Sequence, residues 1–303
     1  MKLAAVSVDL DEIPNYFAIH GLTPDETTKT LVYDLAVPRL LDLARSLRIP
    51  MTLFAVGQDL GREASAKALR EAAELGHEMG NHTRDHRYDL VRLSRDEMWA
   101  QIEGGAEDIL RATGRRPRGF RAPGYTVTDA LFDVLAEVGV AYDSSVFPCP
   151  AYWLAKTSVV GLIRMRGRES QSIVDTPMVL TAPMRPYRIG RPYYRPGTGL
   201  VELPIQVTRG PRFPVIGTSL TLAGPTGSRL LASACVGEPL VNLELHGIDV
   251  LEANDGLQAI VPHQVDLRVR LERKLASLEA AVLVWKRAGY TFVTLAEAAE
   301  GVS

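Results

Sequence analysis

Short apolar runs alternate with helical patterns along most of this chain, and this alternation limits its fold more than any other feature. The apolar runs predict strands at residues 3–8, 51–56, 78–81, 119–121, 141–144, 201–207, 241–245 and 291–294. Helical patterns occupy the stretches between them, at residues 34–48, 62–75, 95–113, 128–138 and 265–288. Because strands that alternate with helices form parallel sheets, the pattern predicts an α/β fold built on a parallel sheet or barrel.

The alternation is interrupted between residues 147 and 215, where proline, arginine and aromatic residues accumulate. We interpret this stretch as an irregular insertion in a single domain that spans residues 1–303. The formal net charge of −2 gives no electrostatic reason for binding nucleic acid. No basic leader or apolar signal segment precedes the first predicted strand, so we expect a cytoplasmic protein.

Two pairs of polar residues follow predicted strands and could share one metal ion. Asp9 and Asp11 lie at the end of the first strand, and His82 and His86 are four residues apart after the third. On a helical turn, that spacing places both imidazole rings on one face. Two imidazoles and one carboxylate are the ligands of a catalytic divalent-metal site with open positions. A turn or a polar helix face is the alternative for either pair alone.

The chain resembles the NodB-type polysaccharide deacetylases, carbohydrate esterase family four, from about residue 3 to residue 295. The resemblance rests on Asp9-Leu10-Asp11, Gly-His-Glu-Met-Gly-Asn-His-Thr-Arg-Asp-His at residues 76–86, Arg-Ala-Pro-Gly-Tyr at residues 121–125 and Leu-His-Gly at residues 245–247. It implies a distorted (β/α)7-type barrel with the site at the carboxyl ends of the strands. Leu10 separates two acids that are adjacent in most members, as in a subgroup with peptidoglycan deacetylase-like enzymes and lipid-linked aminoarabinose deformylases.

The resemblance also implies a role for each site residue. Asp11, His82 and His86 would bind a divalent metal, with zinc favoured and cobalt, nickel, manganese and iron open. A water molecule activated by the metal would attack an N-acetyl or N-formyl amide, with Asp9 as the base and His246 as the acid. The supporting roles are Arg121 as a bidentate partner that lowers the pKa of Asp9, Asp143 as the carboxylate that orients His246, and Gly124 as a backbone donor to the oxyanion.

Residues at the rim are candidates for substrate contact. Tyr16 and His20 lie in a long connection after the first strand, and Tyr125 ends the arginine motif. The substrate would be an amino sugar that is free, lipid-linked or nucleotide-linked. Residues 152–195 place an apolar stretch beside arginines, which predicts peripheral contact with the inner membrane face; an insertion packed on the barrel is an equal alternative.

Three other functions remain open at this point. A relative of the allantoinases would hydrolyse a non-sugar amide or a cyclic imide, although the complete metal triad favours the sugar substrate. A non-haem iron oxygenase also uses two histidines and one carboxylate, but Asp9 and His246 suit proton transfer better. An inactive carbohydrate-binding domain would be expected to lack some of these residues.

Overall fold

The computed structural model describes residues 2–165 and 173–302. Within those residues the strands are β1 (Leu3–Asp9), β2 (Thr52–Ala55), β3 (Glu78–Asn81), β4 (Gly119–Phe120), β5 (Tyr142–Asp143), β6 (Tyr187–Ile189), β7 (Pro196–Glu202), β8 (Leu240–His246) and β9 (Thr291–Phe292). The helices are α1 (Ile13–Ile19), α2 (Val37–Leu47), α3 (Glu63–Glu74), α4 (Arg95–Thr113), α5 (Asp129–Val138), α6 (Pro150–Met165), α7 (Gly217–Ala234), α8 (Leu271–Arg287) and α9 (Leu295–Glu300). Each predicted strand and helix overlaps one of these elements.

The strands form one curled sheet in the order β6, β7, β5, β4, β3, β2, β1, β8, with β9 also paired to β1. All pairs are parallel except the β6–β7 hairpin. The sheet curls far enough for its two ends to meet, because Gln206 N after β7 donates to Asn242 O in β8 at 3.1 Å. The predicted distorted barrel is therefore confirmed, with the strand ends gathered at one face as in other βα barrels.

Alternation along β1 and β8 separates a polar interior from an apolar outer layer. Val6, Val8 and Leu10 are fully or almost fully buried among the apolar residues packed under the helices. Ser7 and Asp9 take the other face, because successive side chains of a strand point to opposite sides. Strand β8 repeats the arrangement, with Val241, Leu243 and Leu245 in the outer layer and Asn242, Glu244 and His246 inside. Acidic and basic side chains thus meet inside the barrel near its carboxyl end.

The prediction of an irregular insertion at residues 147–215 is wrong in two places. Helix α6 lies within it and carries exposed Leu154 and Val159 on its outer side, so it lacks the polar face that reveals an amphipathic helix. The β6–β7 hairpin also lies within it, and β7 pairs with β5 in the barrel sheet. The glycines of this hairpin resemble turn signals in the sequence. They allow the two strands to approach closely, since a Cβ on Gly197 would lie 2.4 Å from Gly190 Cα.

Helix α7 is a second element that the pattern did not reveal. Gly224 and Pro225 lie inside it and produce a kink, with Gly224 at φ +70°. These residues normally mark a loop, but here the helix packs on α8, where Trp285 Nε1 donates to Ala232 O at 3.0 Å. Tertiary packing therefore overrides the local signal. Among the described residues, no helix combines the length and apolar character needed to cross a membrane.

Candidate metal centre and active site

Parallel pairing of β1 with β8 brings the candidate acid and base to neighbouring positions. Asp9 is paired with His246 in the register, and Ser7 is paired with Glu244. Because paired residues of adjacent strands point to the same face, these four side chains all enter the barrel interior. Asp9 is 1% exposed, whereas the His246 side chain keeps 23% of its surface accessible. The acid candidate is thus the more open of the two.

Asp11, His82 and His86 form a compact cluster just beyond the strand ends. Asp11 Oδ1 lies 3.1 Å from His82 Nε2, and Asp11 Oδ2 lies 3.2 Å from His86 Nε2. Three ligands that each lie about 2.1 Å from one ion are separated by about 3–3.5 Å, so these separations fit a shared cation. The other histidine nitrogen supports the same reading: His82 Nδ1 lies 2.7 Å from Arg121 O, which holds its proton and leaves Nε2 as a ligand.

Unsatisfied polar atoms provide an independent test of the metal site. Among the described residues, Asp11 Oδ1 and both ring nitrogens of His86 are buried without a hydrogen-bond partner. Buried polar atoms normally have partners, and a cation held by these atoms would satisfy them. Burial would raise the pKa of Asp11, but the two histidines outweigh it, and the pKa of this carboxyl lies well below its ordinary value. An ionised carboxylate beside two imidazoles fits a divalent ion.

The loop that carries the histidines differs from the prediction. We expected a helical turn, but residues 82–87 form an irregular loop in which Thr83 has φ +69° and His86 has φ +50°. Asn81 Oδ1 accepts a hydrogen bond from Thr83 N at 3.0 Å, and Thr83 Oγ1 accepts one from His86 N at 3.1 Å. These bonds replace the helical pattern and still bring the two ring centroids to 4.9 Å.

Arg121 is fully buried beside Asp9, as predicted, but it contacts Asp9 through one bond only. Its Nη1 donates to Asp9 Oδ1 at 2.7 Å, while Nη2 donates to Ser7 Oγ and to Ser144 Oγ, each at 2.9 Å. The predicted fall in the pKa of Asp9 is wrong, because burial outweighs the opposing effect of Arg121 and raises that pKa. Asp9 Oδ2 has no hydrogen-bond partner within the described chain and lies 3.9 Å from His82 Nε2. It is thus free to accept a proton.

The carboxylate beside His246 is Glu244, not Asp143 as we predicted. His246 Nδ1 lies 2.9 Å from Glu244 Oε1. Asp143 instead accepts hydrogen bonds from Ser145 Oγ at 2.8 Å and Ser145 N at 3.0 Å, and Ser145 Oγ in turn accepts one from Ala122 N. Asp143 therefore supports the turn that follows Arg121. Burial would lower the pKa of His246, but Glu244, Asp11 and Asp9 together outweigh burial, and the pKa lies well above its ordinary value.

The remaining predicted residues are distributed around the site. Tyr125 OH lies 3.2 Å from His246 Nε2, and the Tyr16 ring packs edge-on against His246 at 6.3 Å between centroids. Gly124 has φ +63°, and its carbonyl accepts a bond from Lys156 Nζ at 2.6 Å, while the role of its N–H toward an oxyanion stays a prediction. His20 stacks on His263 at 4.3 Å between centroids. Tyr16 and Tyr125 thus border the acid candidate directly.

Comparison with protein families assigns residues 21–142 to the polysaccharide deacetylase model. This part of the chain is similar to the polysaccharide deacetylases. His82, His86 and Arg121 lie inside the matched range, whereas Asp9, Asp11 and His246 lie outside it. The geometry above joins the two groups, because the strand ends bring all six side chains to one face of the barrel.

Two curated relatives are similar to part of this chain. A peptidoglycan deacetylase of Helicobacter pylori is 26% identical over 147 residues, covering 48% of this chain and 49% of the relative. A peptidoglycan-N-acetylglucosamine deacetylase of Bacillus cereus is 29% identical over 128 residues, covering 42% of this chain and 56% of the relative. The chain therefore spans about half the length of the curated relatives it matches.

The fold is also similar to that of a family 4 acetyl xylan esterase from Clostridium thermocellum, solved in complex with a cobalt ion. The TM-score is 0.50 with 18% sequence identity, and the match covers 100% of this chain and 93% of the esterase. Identity at this level supports the barrel fold. The chemistry of the present site rests on its own residues.

Sequence reasoning missed Glu244 as the partner of His246, although a signal was present. Residues two apart in a strand share one face, so a buried glutamate two positions before a site histidine was a direct candidate. Tyr88 and Lys156 were also missed. Tyr88 packs edge-on against His86 at 4.8 Å between centroids, and Lys156 reaches the arginine motif from α6. Tyr88 follows His86 by two residues, whereas no spacing in the chain connects Lys156 to the site.

Proposed function

We propose that the protein hydrolyses the N-acyl amide, acetyl or formyl, of an amino sugar or glycan in a metal-dependent reaction. One observation carries the proposal: the Asp11, His82 and His86 cluster lies between a buried acid, Asp9, and an accessible histidine, His246. His82 Nε2 is 3.9 Å from Asp9 Oδ2, and Asp11 Oδ2 is 3.9 Å from His246 Nε2. A proton acceptor and a proton donor therefore flank the same ligand set, which is what amide hydrolysis requires.

Each side chain has a part in this reaction. A divalent ion held by Asp11, His82 and His86 would polarise the acyl oxygen and acidify water. Asp9 accepts the proton of the attacking water through Oδ2, since Arg121 already holds Oδ1. His246 supplies a proton to the leaving nitrogen, and Glu244 keeps the ring charged. The buried cluster contains two ion pairs, Asp9 with Arg121 and Glu244 with His246, so it carries no large net charge.

The relatives support the amino-sugar substrate, because both curated matches are peptidoglycan deacetylases. The donor set supports zinc, since two imidazoles and one carboxylate are frequent zinc ligands, with cobalt, nickel, manganese and iron as alternatives. Free, lipid-linked and nucleotide-linked forms of the sugar are all compatible with the open side of His246. We favour a sugar over the cyclic imide of an allantoinase-like enzyme because the ligand triad is complete.

The test is acetate or formate release from N-acetyl and N-formyl amino sugars by zinc-loaded protein without oxygen. We expect release by the wild type and a loss of about 100-fold or more in Asp9→Asn, because general-base catalysis contributes about 10²–10⁴-fold. Asp89→Asn, which alters an exposed acid paired with Arg87, is the matched control and should retain activity. Oxygen-dependent turnover would favour the iron oxygenase, and folded, metal-bound protein that binds these sugars without hydrolysing them would favour a carbohydrate-binding domain.

Membrane contact through residues 152–195 stays a prediction, as does the cytoplasmic location. On α6 the outward Leu154 and Val159 are 59% and 43% exposed, which supports contact with an apolar phase. The arginines at 166 and 168 that contributed to the prediction lie outside the described residues. Flotation with anionic vesicles at low salt is the direct test, with Leu154→Ser expected to weaken binding. Absence of wild-type flotation would contradict membrane contact, and cell fractionation would test the location.

A further inference from the structure

Tyr125 lies against the reactive nitrogen of His246. Its hydroxyl is 3.2 Å from His246 Nε2, and the tyrosine is only 6% exposed. The Tyr125 ring packs edge-on against Phe147 and Tyr152, with centroid distances of 5.7 and 5.6 Å. These contacts hold the ring in place. The hydroxyl therefore occupies a fixed position between the imidazole and the interior of the site.

The backbone at Tyr125 supports a functional role for this position. Tyr125 has φ +58°, a left-handed conformation that costs free energy for a residue with a Cβ. A neighbouring hydrogen bond maintains it, because Tyr125 N donates to Ala122 O at 3.0 Å. The preceding carbonyl, of Gly124, is held by Lys156. A strained backbone that is held by hydrogen bonds on both sides directs a buried hydroxyl at a catalytic candidate, and strain of this kind is concentrated at functional sites.

The directions of the imidazole nitrogens limit how His246 can deliver a proton. An imidazolium has one N–H on each ring nitrogen. The Nδ1 side is taken by Glu244 at 2.9 Å, so only the Nε2 proton is available for transfer. That proton faces the hydroxyl of Tyr125. With the ring packed in place, a leaving nitrogen cannot take the position of this hydroxyl without displacing Tyr125.

We propose that Tyr125 is a catalytic residue that relays the proton of His246 to the leaving nitrogen. This inference rests on the proposed amide hydrolysis. In the relay, the phenol O–H bond breaks as its proton binds the lone pair of the leaving nitrogen. At the same time the Nε2–H bond of His246 breaks, and that proton restores the phenol. The C–N bond then breaks with its electron pair on nitrogen, which leaves neutral amine, intact Tyr125 and neutral His246.

Two substrates distinguish this role from the alternatives. An N-acetyl amino sugar releases an amine and requires the relayed proton, whereas 4-nitrophenyl acetate releases a phenolate that departs without one. For Tyr125→Phe we expect kcat on the amide to fall by about 100-fold, within the range for general-acid catalysis. We expect kcat on the aryl acetate to stay within about twofold of the wild type, because that leaving group needs no general acid. The control is Tyr152→Phe, which removes a hydroxyl from a neighbouring ring and should leave both rates unchanged.

Other results overturn the relay. Equal losses on both substrates in a variant with the wild-type Tm would mean that the hydroxyl stabilises the oxyanion. An increase in KM alone would mean that Tyr125 only binds the sugar. An unchanged amide rate in Tyr125→Phe would also exclude the relay while leaving the proposed hydrolysis intact. If the zinc-loaded wild type releases no acyl group from any amino sugar but hydrolyses the aryl acetate, the proposed substrate is wrong and the relay fails with it.

Discussion

Replacing Glu244 with glutamine tests how the protein keeps His246 charged. The Glu244 side chain is 1% exposed, and its Oε1 lies 2.9 Å from His246 Nδ1. An opposite charge within about 4–6 Å changes a pKa by about 1–3 units, and about 1–2 units is the lower part of this range. Burial of His246 persists in the variant and also lowers its pKa. The glutamine variant should therefore lose the part of the upward shift that comes from Glu244, while Asp11 and Asp9 continue to raise the pKa of His246.

The sign of the pH effect follows from this direction. The pKa of His246 lies above its ordinary value, so the imidazolium that donates the proton is present below that pKa and is lost as the pH rises through it. In Glu244→Gln the alkaline limb of kcat against pH should move to lower pH by about 1–2 units. At pH values above both pKa values, kcat should fall by about 10- to 100-fold, because each unit is then a factor of ten in the protonated fraction, whereas below both pKa values the two proteins should have similar rates.

The assay is acyl release from an N-acyl amino sugar between pH 5 and 10, with Asp143→Asn as the comparison. Asp143 bonds to Ser145 rather than to His246, so its variant should keep the wild-type limb even if it is less stable. A limb that moves in Asp143→Asn and stays in Glu244→Gln would refute the assignment of Glu244. Direct titration of His246 by NMR in both variants would give the same decision without turnover.

Three further predictions concern the metal and the scaffold. Loss of a hydrogen bond that supports a metal ligand weakens metal binding by about 10–100-fold. His86→Ala removes a ligand and should weaken zinc binding, measured by calorimetry, by more than this. Lys274→Met should lower the free energy of unfolding, measured in urea, by about 3–5 kcal/mol. The buried Asp266 carboxylate lies 2.8 Å from Lys274 Nζ and would lose its cation in this variant. Adding Asp266→Leu should recover much of the lost stability. Gly105→Ala should lower zinc affinity, since its Cβ would lie 2.4 Å from a side-chain oxygen of β3, whereas Gly61→Ala has open space and serves as control. Zinc affinity equal to that of the wild type would contradict the prediction for His86→Ala or for Gly105→Ala. A fall in unfolding free energy below about 1 kcal/mol would contradict the prediction for Lys274→Met.

The barrel and its site positions could be predicted because they depend on local patterns. The apolar run before Asp9 and the run before His246 each show where a strand ends, and parallel strands end at one face. Helix α4 was predicted with its correct bounds, since Ser94 and Glu97 form the capping box that starts it and Gly114 ends it. Local signals of this kind do not require knowledge of which strands are neighbours.

Packing between distant segments explains the elements that were missed. Helix α7 contains Gly224 at φ +70°, where a Cβ would lie 2.4 Å from Arg273 Nη2. The positive φ favours glycine at this position, but in the sequence the residue has the same form as a loop glycine. The histidine loop raises the same problem, because its shape depends on hydrogen bonds from Asn81 and Thr83 rather than on helical spacing.

The partners of Arg121 depend on strand pairing and register, which is why its contacts were the least predictable part of the site. The Arg121 guanidinium is placed by Ser7 in β1 and Ser144 after β5, two segments 137 positions apart in sequence. A shift of one residue between β1 and β8 would turn Glu244 and His246 together out of the interior and away from Asp9. Residue types and strand ends identify which groups reach the site, but the register decides which acid serves which base. Asp143 and Glu244 were both available as partners for His246, and only Glu244 shares its strand face.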